Sequence, residues 1–332
     1  MVTRRTLDVA ALPHGPRDPT TGTPPRAPGS ARRTTSIDQR RGEPRDPQQV
    51  IACGRDLVTR RDGTTEVVDR VRLTATVDPR GIVTDIECDP PEPRLGQLVG
   101  GHASRGLRGR VDDLLPDHRD AGSLLLQLLD DMPMATLISS YGSSREQPDF
   151  RLPPEAGERM TDLCAGWAAG ATMLDTLGST GVFPIPVGPP APDLASADDP
   201  LAWHDLDAMA VRSVRRRRRI DLVADDPLGL DVHFRDSHLG AEGLEDVLHE
   251  YTLRGSVDPV RLEVLSSEAT ARVLPWPECP GAVASAARVV GAPVSELRTN
   301  VAADFTGTST CTHLNDVLRS LAGVTALARA LP

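Results

Sequence analysis

The segment Thr308–Leu318, TSTCTHLNDVL, sets a thiol and an imidazole two positions apart, Cys311 and His313, in front of an amphipathic run. Such a pair can ligate a metal, arm a nucleophile, or pack. Helical positions two apart point about 200° away from each other, so both side chains reach one ion only if they straddle a helix start. Ser309 or Thr310 is the expected N-cap there. Free backbone N–H groups and the positive end of the helix dipole lower the pKa of a thiol so placed.

Two further positions complete a candidate set. Cys279 stands in PWPECPG, between Pro277 and Pro280, which hold the backbone rigid where a strand gives way to a helix. His249 stands in LHEYTLRG at the head of a strand, followed by Glu250. Together His249, Cys279, Cys311 and His313 form a His/Cys/Cys/His set, the donor composition of a zinc or iron site. Glu250 or Asp316 is positioned to support it from outside. A second reading makes Cys311 the thiolate of a hydrolase or acyl-transfer enzyme, with His249 or His313 as base. A third makes the chain a non-catalytic interaction module in which the four residues only pack. Two other polar groups are read as solvated: His233 and Arg235, which alternate with Val232 and Phe234, and the arginine run Arg215–Arg219.

The elements that must carry these residues follow from periodicity. Leu230, Val232 and Phe234 alternate as on a half-buried strand; VLHEYTLRGSVD predicts a second strand, and residues 260–274 a third across a VDP corner. PGAVASAARVVG predicts a short helix stopped at Gly291. A last helix runs from about Cys311 to Ala330, with Leu314, Val317, Leu318, Leu321 and Val324 on one face. Further upstream, RRTTSID ending at Asp38 parallels RRRRRID ending at Asp221, and VRLTATVDP parallels YTLRGSVDP. LVGGHASRGLR parallels VVGAPVSELR, and the segments that follow align without a gap. These ordered matches, beginning at about residue 32, predict a tandem degenerate duplication of an antiparallel-sheet-plus-helices unit, an α+β fold. Residues 1–48 read as a disordered leader, 49–142 as the first copy, 143–211 as a helical and Pro-rich connector, and 212–332 as the second copy. Within the connector, residues 155–177 have helical spacing. On this alignment Cys311 falls opposite Ala121, His313 opposite Ser123 and His249 opposite Asp69, so the polar set occurs in the second copy only.

Composition narrows the class of partner. The formal charge is -10 and aromatic residues make up 3% of the 332, a poor match to phosphate neutralisation or base stacking, so no nucleic-acid partner is expected. No stretch has the ~20 apolar residues of a membrane span, and no signal peptide is read at the start. Five scattered cysteines suit a reducing cytoplasm better than a disulfide framework. A small molecule or a protein is the partner class that remains, together with packing of the two copies on each other.

The second copy, with RRRRRID, HEYTLRGSVD, ECPGAVASAARVVG and CTHLNDVLRSL, resembles the bacterial domain of unknown function 2889. The resemblance implies no reaction. In topology, the stations of His249, Cys279 and the Cys311/His313 pair are also similar to the ligand positions of U-type iron-sulfur scaffold proteins, which place ligands before a strand and at two later helix starts. This chain departs from them in having His at the first station and Thr312 within the last pair.

Overall fold

The computed structural model describes residues 9–40, 46–145 and 154–332. Its frame is one antiparallel sheet of eight strands in the order β4-β3-β2-β1-β5-β6-β7-β8. The first four are β1 (Ser30–Arg40), β2 (Gln48–Thr59), β3 (Thr65–Val77) and β4 (Val83–Asp89). The second four are β5 (Ser213–Val223), β6 (Leu228–Leu239), β7 (Glu245–Val257) and β8 (Val264–Val273). Strand lengths of 11, 12 and 13 residues open each series. The series meet at β1 and β5, which pair without a break from Ser30↔Val223 to Arg40↔Ser213.

After β4 come helices α1 (Leu107–Leu114), α2 (Pro116–Ala121) and α3 (Leu124–Ser144). The connecting region carries α4 (Pro154–Met160) and α5 (Thr172–Thr180). After β8 come α6 (Leu297–Asp304), α7 (Thr312–Ser320) and α8 (Val324–Ala330). One apolar cluster joins Ile37, Leu73 and Leu107 to Leu124, Leu128 and Leu129 of α3; another joins Ile220, Phe234 and Leu253 to Leu314, Val317 and Leu318 of α7. The apolar stripe read on the last helix is therefore the face that packs on the sheet.

Four sequence expectations are corrected. Residues 30–40, which composition assigns to a flexible leader, are the central strand β1 and are buried. Residues 14–29, from the same stretch, lie along the sheet, where Asp18 N–H donates to Arg272 O and Trp203 Nε1 to Thr23 Oγ1. The arginine run Arg215–Arg219 is the central strand β5 and is almost wholly buried. The β6 face bearing His233 and Arg235 is covered as well, both residues being buried. Finally, the helical spacing over 155–177 is interrupted: α4 stops at Met160, Asp162 takes a positive φ of 62°, and α5 begins only at Thr172.

Counter-charges explain why an arginine-rich stretch can form a sheet centre. Arg32 Nε donates to Asp221 at 2.5 Å, and reciprocally Arg215 Nε donates to Asp38 at 2.5 Å. On the helix-bearing face Arg33 is bidentate to Asp56 and Arg216 is bidentate to Asp236. Buried guanidinium groups are tolerated when their planar donor fork is met by carboxylates in this way. Composition reads such a strand as polar because the pairing is visible only once both halves are folded.

Candidate metal centre

The ligand atoms that converge belong to Asp236, His249 and His313. Each offers one atom, and these atoms all lie within 4.8 Å of one another. Asp236 and His249 are register partners on β6 and β7, next to a bulge at which β7 carries the extra residue Leu248. His313 is brought in by the first turn of α7, whose N-cap is Cys311 in extended conformation, φ -132°. The imidazoles of His249 and His313 stack with centroids 3.5 Å apart and planes inclined by 16°. Asp236 Oδ2 lies 3.8 Å from His249 Nδ1 and 3.8 Å from His313 Nε2.

Both of those imidazole nitrogens are buried and have no hydrogen-bond partner among the described residues. Buried polar atoms are nearly always satisfied, so two orphans facing one carboxylate oxygen need an explanation. Burial, with the Arg216 cation nearby, pushes His249 down to about 3; burial and its two neighbours His249 and Arg216 push His313 well below the usual histidine range. Both rings are thus neutral at pH 7 and carry a lone pair. Burial pushes Asp236 up to about 6 against the opposing pull of Arg216, which leaves it ionised at pH 7. Neutral imidazole and ionised carboxylate are the ligand forms that a cation requires. The 3.8 Å separations exceed the spacing of neighbouring ligands ~2.1 Å from one ion by only a few tenths of an ångström.

The surroundings orient this group. His313 Nδ1 faces Thr312 Oγ1 at 3.5 Å and Cys311 Sγ at 4.0 Å, and a proton held on Nδ1 leaves Nε2 with the lone pair. Arg216, which fixes Asp236, also donates to Asp316 Oδ2 at 2.8 Å and to Asp131 Oδ1 at 3.4 Å. Asp131 comes from α3 in the first half of the chain and in turn accepts from Arg218 at 2.6 Å. Asp316 also accepts from Arg108 at 2.7 Å.

Of the sequence-derived set, His249 and His313 are side by side, Cys311 sits behind His313, and Cys279 stands outside the converging atoms. The group is therefore not a His/Cys/Cys/His site. Cys279 is buried in the apolar cluster of the second half, against Gly166 and Trp276. Burial raises Cys311 and Cys279 above the ordinary thiol range, and pushes Cys164, which lies near both, up to about 12. At Cys311 burial thus outweighs the helix terminus that was expected to lower its pKa. Glu250 points to the opposite face of the sheet, where it accepts from Arg235 Nε at 2.7 Å and from the Thr20 N–H at 2.7 Å. Asp316 accepts from Arg216, the arginine that also holds Asp236. Asp236 is the candidate ligand the sequence reading misses. Its signal is present: the alternation Leu230, Val232, Phe234 continued by one step puts a carboxylate on the core face.

The two imidazoles form part of the lining of a cavity of about 350 Å³. Its remaining walls are mostly apolar, including Met134, Met173, Trp167, Phe183 and Trp276.

Fold and site together define an α+β protein whose candidate metal group lies in its second half, at an apolar cavity. Residues 214–327, in the second half of the chain, match the model of the family described as protein of unknown function (DUF2889). The matched range contains Asp236, His249 and His313. No curated protein matches the chain, and no solved structure does. The likeness to iron-sulfur scaffold proteins rests on the sequence alone. No helix among the described residues is long and apolar enough to cross a membrane.

Proposed function

We propose that the protein binds one divalent metal ion, zinc or iron, through Asp236, His249 and His313, and leaves the remaining coordination positions open to the cavity. The observation that carries this reading is the pair of orphaned imidazole nitrogens, each 3.8 Å from the same carboxylate oxygen. Two histidines and one carboxylate with open positions suit non-haem iron, and the same donors serve catalytic zinc. An ion held by these three residues would supply Lewis acidity. The chain's own part is to hold the ligands in their unprotonated forms and to exclude water. A thiolate mechanism has less support, because burial is the largest effect on the Cys311 thiol and raises its pKa.

Elemental analysis of untagged protein tests the reading. About one ion per chain is expected for the wild type and for Cys279→Ser, with the ion lost in His249→Ala, His313→Ala and Asp236→Asn. Loss in Cys279→Ser with retention in Asp236→Asn would overturn the ligand set in favour of the sulfur-containing one.

We also infer that the two sheet halves arose by duplication, with ligands retained in one half. The matched strand lengths and the reciprocal Arg32–Asp221 and Arg215–Asp38 pairs support this. Asp56↔Asp69 in β2 and β3 occupies the place of Asp236↔His249 in β6 and β7. Five free cysteines support a reducing compartment.

A further inference from the structure

We propose that the cavity beside Asp236, His249 and His313 receives a small, uncharged aromatic molecule whose single polar end points to the metal group. The inference rests on the metal reading only for the direction of that polar end; the choice of ligand body comes from the walls. The chain has 3 Trp, 4 Phe and 6 Met in 332 residues, yet Trp167, Trp276, Phe183, Met134, Met160 and Met173 all line this one cavity. A protein that builds its core from Leu, Val and Ala has placed two of its tryptophans and half of its methionines around one space. Aromatic faces and polarisable thioethers are the side chains that favour a flat π-system over a saturated ring of equal area. Trp167 and Phe183, with centroids 5.8 Å apart at 42°, form one wall of it.

Charge sets the second half of the argument. No Lys, Arg, Asp or Glu is among the described residues lining the cavity, so a charge on the ring body, away from the metal group, would lose its hydration without a partner. Of the polar side chains there, the two stacked imidazoles and Thr312 are grouped at one end, beside the metal group, and Ser144 is a further hydroxyl in the lining. A volume of about 350 Å³ lies near the lower end of the ~300–1,000 Å³ usual for small-molecule sites, which suits a single substituted ring. At the rim, Leu137 and Leu163 are 54% and 53% exposed, an apolar approach that hydration alone disfavours.

Calorimetric titration of the full untagged chain with 4-methylphenol, and separately with 4-methylcyclohexanol, tests the proposal. Saturable binding of 4-methylphenol is expected, at least ten-fold tighter than that of its saturated analogue. Because Leu163 is exposed, Leu163→Glu should leave the melting temperature unchanged and weaken 4-methylphenol at least ten-fold by bringing an anion to the mouth. Absence of saturable binding, equal affinity for the two alcohols, or no effect of Leu163→Glu would each overturn it. The double variant His249→Ala/His313→Ala separates the two readings. It should still bind the aromatic ring through the walls, whatever its metal content, and loss of all binding there counts against the cavity proposal.

Discussion

A histidine can be buried as a candidate ligand or as part of the packing, and this chain has examples of each. His204, from the connector, lies between the Thr34 and Ser36 hydroxyls of β1, each 2.9 Å from a ring nitrogen. Burial, with Arg55 as the next cause, pushes it down to about 3. Its unfolded pKa is about 6.5, so between those values the unfolded chain takes up a proton that the folded chain refuses. The contribution of His204 is therefore fully present above about pH 6.5 and is lost as the pH falls toward 3. In urea titrations, wild type should lose about 2 kcal/mol more than His204→Gln between pH 7.5 and pH 5. Equal losses would refute the assignment. His249 and His313 differ in having nitrogens that nothing satisfies. Sequence alone singled out these two, because His313 stands at the start of α7 and His249 was read at the head of the strand that is β7. It missed Asp236, because a carboxylate among arginines and histidines reads as part of a solvated face until the covering chain is known. It overvalued Cys279, because rigid flanking prolines mark a good mount without saying which way the side chain looks.

At the scale of elements, the last helical stretch, which holds α7 and α8, and strands β6 to β8 were legible because their apolar spacing is regular, whereas α6 was not read. Strands β1 and β5 were not, because their stability comes from partners distant in sequence. Arg33 illustrates this: it is buried, bidentate to Asp56 and bonded to the Gly122 carbonyl at 2.9 Å. Removing one member of a buried pair leaves an uncompensated charge, whereas removing both does not. Arg33→Met should thus cost about 3–5 kcal/mol in denaturant unfolding, and Arg33→Met/Asp56→Leu should recover most of that loss. If the double variant is no more stable than the single one, the pair does not act as a unit.

The eight-stranded sheet makes one molecule of two halves, and the family match covers only the second. Contacts across the middle reach the metal group through Asp131, which shares Arg216 with Asp316 and so bears on Asp236. Neutralising Asp131 removes a negative charge from beneath a cation site and leaves Arg216 freer to hold Asp236. Both effects have the same sign. Competition against a chelator should show Asp131→Asn binding zinc about ten-fold more weakly, in the range seen when outer-shell partners are altered, while unchanged affinity would rule the link out. The half that donates no ligand would then act as a dial on the half that does, and sequence drift in the first could retune the second without touching any residue at the centre.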